Sequence, residues 1–253
     1  MSERPHIRIK RSPDSRRYKY AGVGGSGEFK LPPRDRLDHS TKLTGDLLNA
    51  AHLAQETRRE QGLFGRAKAF VYTFKSEPGH ELVLESLERR QNDIEVQSVH
   101  MEGDVQVATV RVPDGQLKAF FKLVKDYRTK AGRTPSRHRN QNLIESISSI
   151  GLTTVRELWQ DPTPFPEPNT SLWWEIWIRS GSGGARATYT RFRDLLTTVG
   201  MRISEQFISF PERVVTLGWG THEQLSHSLD VLAEIAELRR AKALAAEYLP
   251  RQI

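Results

Sequence analysis

Residues 222–227 read HEQLSH, which resembles the zinc motif HExxH, in which two histidines four positions apart on one helix share an ion. Here His222 and His227 are five apart, which sets them about 140° apart around a helix, so they cannot face one metal and read instead as capping or solvent-facing residues. Gly22, Gly24 and Gly27 satisfy GxGxxG, but Pro32 and Pro33 follow where a dinucleotide site needs a helix. The second glycine cluster, residues 181–184, does lie between a strand-like and a helix-like segment, with Arg186 at the helix start. It lacks the Lys-Ser/Thr ending of a phosphate loop and reads as a flexible turn, with anion binding as the alternative. No GxSxG nucleophile turn occurs. With no cysteine, thiolate catalysis, disulfides and Cys-ligated metals are excluded. No catalytic residue, cofactor or metal is expected in this chain.

Binding chemistry is better represented. Arg128, Lys130, Arg133, Arg137 and Arg139 form a basic stretch opposed locally only by Asp126, the footprint that phosphate binding leaves in a sequence. In the segment 172–179, Trp173, Glu175, Trp177 and Arg179 alternate with Trp174, Ile176 and Ile178. If helices cover the second set, two tryptophans and an arginine lie on an open sheet face. Such a face either stacks bases or packs on another protein. Glu175 between the tryptophans would repel phosphate, and no RNP-like Gly-aromatic signature accompanies them, so protein docking is the leading reading and nucleic-acid binding the alternative.

The elements that must carry these residues come in two similar sets. A stripe of Leu43, Leu47, Ala50, Ala51 and Ala54 predicts a helix within 37–66, capped by Ser40 or Thr41 and ended by Gly62. Phe70, Tyr72 and Phe74 then alternate with Val71, Thr73 and Lys75 as in a half-buried strand. A helix over 80–90 follows, with Val83, Leu84 and Leu87 inward, then a hairpin of 94–100 and 105–112 turning at Glu102-Gly103-Asp104. A helix carrying Leu117, Phe120, Phe121 and Val124 comes next, with Asp114 as a possible cap. This βαββα order recurs through the strand 172–179, a helix with Tyr189, Phe192, Leu195, Leu196 and Val199 on one face, strands 201–207 and 213–219, and a helix opening at Thr221. VYTFKS (71–76) corresponds to EIWIRS (175–180), and Gln116-Leu117 to Gln224-Leu225.

The expected fold is α+β: two tandem ferredoxin-like (βαββα) sandwiches, with a basic arm and a helix before them and a helix after them. The divisions are 1–36 arm, 37–66 helix, 67–160 first unit, 161–171 linker with four prolines in Asp161 to Asn169, 172–238 second unit, and 239–253 connecting helix and tail. A returning strand for the first unit falls near 147–154, although Ile144, Ile147 and Ile150 also suit a helix. After the second unit the pattern stays helical over 233–248.

The 253 residues suffice for one large domain or two ordinary ones. Lys and Arg number 38 and Asp and Glu 31, a net charge of +7. Six of those seven charges sit in residues 1–36, where ten basic residues face four acidic ones. No uncharged apolar run approaches the ~18 to 20 residues of a membrane span, and no signal-peptide core is present. The chain reads as soluble and cytoplasmic.

The phrases RPHIRIKRS (4–12), YKYAGVGGSGEFKLPPRDR (18–36), VQVATVRVPDGQL (105–117), RNQNLIESISSI (139–150), WWEIWIR (173–179), FPERVVTL (210–217) and AEIAELRRAK (233–242) together resemble the N-terminal region of a group of bacterial subtilisin-like serine peptidases. The resemblance covers nearly the whole chain. In that group the region precedes the protease domain, beside a gene for an AAA ATPase and in an arrangement associated with phage defence. The Asp-Thr/Ser-Gly, His-Gly-Thr and Gly-Thr-Ser-Met-Ala motifs of the catalytic triad are absent, and Gly220-Thr221-His222 has the wrong order for the second. The resemblance therefore implies a fragment, a processed N-terminal product or a standalone relative without protease activity. It further implies a propeptide-like role: docking through the face bearing Trp173 and Trp177 on a protease domain, in cis or in trans, or on an AAA ATPase.

Overall fold

The computed structural model describes residues 31–60, 68–134, 137–180 and 183–242. The arm up to Lys30, with its GxGxxG glycines, lies outside these, as do Gly62 and everything from residue 243 onward.

Helix α1 (Arg36–Glu60) begins one residue after Asp35, whose Oδ1 accepts the Leu37 and Asp38 amides at 2.9 Å each. Asp35 therefore caps the helix. Ser40 and Thr41, expected in that role, turn their hydroxyls back to the Leu37 carbonyl. Leu43, Leu47, Ala50 and Ala54 are buried.

Strand β1 (Ala69–Lys75) pairs on one side with β3 (Val105–Pro113) and on the other with β4 (Ser149–Leu152), while β3 also pairs with β2 (Glu95–Glu102). All pairings are antiparallel, in the order β2-β3-β1-β4. Helix α3 (Lys118–Thr129) and α1 form the layer over Phe70, Tyr72 and Phe74. Asp114 does not cap α3; it pairs with Arg58 at 3.0 Å.

The helix expected over 80–90 shrinks to one turn, α2 (Leu84–Leu87). The backbone before it is already committed to the neighbouring hairpin: the Gly79 amide donates to Asp104 O at 2.8 Å, His80 bridges Val105, and the Leu82 amide donates to Gln106 Oε1 at 2.7 Å. Downstream, Arg89 bridges Ile94 around a tight turn with Asp93 at φ 54°. A short helix α4 (Gln141–Ser146) takes Ile144, and the returning strand starts after it.

The second sheet repeats the first. Strand β5 (Leu172–Arg179) lies between β7 (Arg213–Gly220) and β8 (Ile235–Arg240), with β6 (Arg202–Ser209) outside β7, in the order β6-β7-β5-β8 and again antiparallel throughout. Helix α5 (Gly184–Thr198) ends at Gly200, whose φ of 74° suits glycine. Helix α6 (His222–Ser226) opens on a capping box in which Thr221 and Gln224 satisfy each other's backbone amides.

The helix expected over 233–248 does not continue past Glu234 in its described part. Helix α7 (Leu229–Glu234), capped by Ser228, stops, and the chain becomes β8. Alanine and leucine favour helix locally, but an open edge of β5 on one side and the 158–160 segment on the other offer β8 hydrogen bonds along both edges. Leu238 N donates to Leu158 O at 2.8 Å and Gln160 N donates to Leu238 O at 2.9 Å. The Pro-rich connection is thereby tied to the sheet, and Asp161 Oδ2 accepts the Arg240 amide at 3.1 Å.

The two sheets belong to one compact unit. Helix α7 packs on β1, and Gln97 of β2 donates through Nε2 to Ala233 O at 3.1 Å while its own carbonyl accepts from Arg213 at 2.9 Å. Consequently β1 is buried on both faces, Val71 and Thr73 included, where a half-buried strand was expected. No helix among the described residues is long and apolar enough to cross a membrane.

Candidate interaction surfaces

Strand β5 divides its side chains as the alternation requires. Trp174, Ile176 and Ile178 are fully buried with Tyr189, Phe192 and Leu196 of α5. The Trp174 indole donates to Gly220 O at 2.9 Å, so its one polar atom is satisfied in the core. Trp173, Glu175, Trp177 and Arg179 point to the other face and are half-buried.

That face is an organised aromatic surface. Across β7, Trp173 sits opposite Trp219 with ring centroids 5.6 Å apart, and the Arg202 guanidinium lies 5.6 Å from the Trp219 ring. Trp177 stacks on Phe210 at 5.6 Å and 11°, with Arg239 5.4 Å from its centroid, and donates its indole N–H to Glu175 Oε1 at 2.8 Å. Leu217 and Val215 fill the β7 positions opposite Glu175 and Trp177. Glu237 pairs with Arg239. Ile208 and Phe210 are exposed, at 63% and 47%, and they extend the apolar area onto β6 and the turn that follows it.

Arg179 stands apart from this group. It pairs with Glu95 of β2, at the seam between the sheets, and so helps fix one sheet against the other. Trp219, Phe210, Arg202 and Arg239 were not singled out in the sequence. Trp219 could have been found from the alternation of β7, but Phe210 lies in a turn and Arg239 in a segment that reads as helix.

The basic stretch is divided by the fold. Arg128 is exposed near the end of α3. Lys130 pairs with Asp126 at 2.8 Å, and Arg139 lies 3.9 Å from the same carboxylate. The Lys130 ammonium holds the Asp126 carboxyl below its usual range. Arg133 and Arg137 belong to a separate hairpin, where the Gly132 amide donates to Arg137 O at 2.7 Å and the Arg139 amide to Lys130 O at 3.2 Å. Those two line a cleft of about 340 Å³ together with Arg89, which no sequence pattern groups with them.

His222 pairs with Glu223 at 3.2 Å, His227 is exposed, and no group of three or more metal-ligating side chains occurs among the described residues. Arg186 lies 6.0 Å from the Phe207 ring. No protein-family model, curated protein or solved structure matches the chain.

Proposed function

We propose that this chain is a non-catalytic docking module made of two ferredoxin-like sandwiches in tandem, and that it regulates a subtilisin-like protease domain by binding it through the outer face of the second sheet. The repeated 2-3-1-4 strand order, with a helical layer from each unit packed on its own sheet, supports the ferredoxin-like reading. The resemblance of the phrases quoted above supports the choice of partner, with an AAA ATPase as a second candidate.

One observation carries the docking reading. The two sheets are built alike, but β1's outer residues Val71 and Thr73 are buried, with α7 packed on that strand, while the equivalent Glu175 and Trp177 on β5 are only half-buried. The first sheet shows that such a face can be closed by protein. The second presents tryptophans, aliphatic residues and arginines, a composition typical of protein interface cores.

The same geometry weighs against nucleic acid at this face. Trp177 already carries Phe210 as a stacking partner, Trp173 lies against Trp219, and the charges are mixed, with Glu175 and Glu237 beside Arg239 and Arg202. Neither free ring faces nor a one-signed field is offered.

Adding the full chain in trans to the protease domain tests the proposal. Inhibition, or faster refolding of the protease, is expected, and Trp177→Ala combined with Trp219→Ala should weaken it at least tenfold. No effect on either activity or refolding would leave the reading without support. Tight, salt-dependent binding of short RNA or DNA that is lost on Trp177→Ala would overturn it.

A further inference from the structure

The hairpin after α3 has a geometry that only glycine permits at its base. A Cβ on Gly132 would lie 2.8 Å from Arg137 O, and without one the two strands close tightly enough for Ala131 to bridge His138. A further bond runs from Arg137 N to Thr134 O at 3.0 Å. This loop and the first residues of α4 face the end of α2 across the 340 Å³ cleft, whose lining includes Arg89, Arg133, Arg137, Ser86, Thr134 and Asn142.

The charge in this cleft is unbalanced. Among the described residues no Asp or Glu lines it, and none of the three arginines forms an ion pair. Their neighbours differ: Lys130 and Arg139 share Asp126, and Arg111 has Asp93. Arg89 is the most constrained. Its Nε is buried with no hydrogen-bond partner, and burial lowers its pKa with no carboxylate acting against that effect. Holding three guanidinium groups around one small cleft costs free energy through mutual repulsion, to which the burial of Arg89 adds lost hydration, and a multivalent anion offsets both.

We propose that Arg89, Arg133 and Arg137 form a binding site for the phosphate groups of an oligophosphate, with the Ser86 and Thr134 hydroxyls and the Asn142 amide as neutral donors. A single carboxylate supplies one negative charge against three positive ones, whereas a diphosphate supplies two or three and has the tetrahedral oxygens that guanidinium groups bind in pairs. The cleft is bounded by three elements, which suits a free nucleotide or pyrophosphate better than a long polymer. This site is independent of the aromatic face of the second sheet.

Calorimetric titration of the full chain with pyrophosphate, at 50 and 200 mM salt, tests it. Submillimolar binding that weakens with salt is expected. It should fall at least tenfold in Arg89→Gln and in the double variant Arg133→Gln/Arg137→Gln, and stay unchanged in Arg128→Gln, which lies outside the cleft. The double variant changes only exposed side chains, so it keeps the test valid if Arg89→Gln fails to fold. Absence of binding at millimolar pyrophosphate, or binding indifferent to the arginine changes, would overturn the proposal. A short single-stranded oligonucleotide supplies the second arm. If it displaces pyrophosphate with the same arginine dependence, the phosphate site stands and a nucleic-acid backbone is its source. If it does not displace it, the free oligophosphate is the ligand.

Discussion

Trp174 and Trp177 are three residues apart on one strand and should behave as different kinds of residue. Trp174 is fully buried with its N–H satisfied by Gly220 O, so Trp174→Ala opens a large cavity and should cost about 3–5 kcal/mol in denaturant unfolding. Trp177 lies half-buried on the outer face, where truncation removes one ring stack, one cation–π contact and the indole hydrogen bond to Glu175, and should cost about 1–2 kcal/mol while impairing partner binding. Equal losses in the two variants would contradict this division of the strand. His39 gives a pH signature. It is buried, with Nε2 bonded to Ile144 O at 2.9 Å, and burial lowers its pKa below 6.5, helped by Arg34 and Lys42 and opposed by that bond and by Glu145. Because the unfolded chain takes up the proton first, stability is fully present above about pH 6.5 and declines as pH falls through the lower folded value. His39→Asn should flatten the dependence of the unfolding free energy on pH in that window. The alternation in WWEIWI made the two faces of β5 legible in the sequence, since side-chain period two is a local property. The role of Arg179 was not legible, because Glu95 lies 84 residues away.

At the scale of elements, the junction of β7 and α6 leaves no room for a side chain at Gly220. A Cβ on Gly220 would come within 2.5 Å of Gln224 Oε1 and 2.8 Å of Met201 Cγ, so Gly220→Ala collides with the side chain that completes the capping box. A loss of about 1–3 kcal/mol in thermal or denaturant unfolding is expected, against a gain of about 0.5–1 kcal/mol for Gly45→Ala inside α1, where a Cβ meets nothing within 4 Å. Boundaries set by local chemistry could be read in advance: the 102–104 hairpin turn, the stop at Gly200, and the start of α6 at Thr221. Those set by competition could not. Gly79 and Leu82 give their amides to the β2–β3 hairpin instead of to a helix, and 235–240 complete a sheet despite a helical composition.

For the whole molecule, burial of β1 on both faces makes the second half of the chain part of the first half's core. Leu229 of α7 lies within the first hydrophobic cluster, and Gln97 is bonded to both Ala233 and Arg213. Thermal unfolding followed by far-UV and near-UV circular dichroism should therefore give one coincident transition; two separated transitions would show that the halves fold independently. The sequence by itself determined what depends on neighbours a few residues away: the strands and their two faces, most helices and turns, and the repetition of one unit. Tertiary structure alone decided which faces are covered, that the last described segment is a strand, and that Arg89 joins Arg133 and Arg137 while Lys130 and Arg139 are neutralised by Asp126. Those outcomes depend on which hydrogen-bonding edge, apolar face or countercharge arrives from a distant part of the chain. A local pattern fixes what a segment offers but not what meets it.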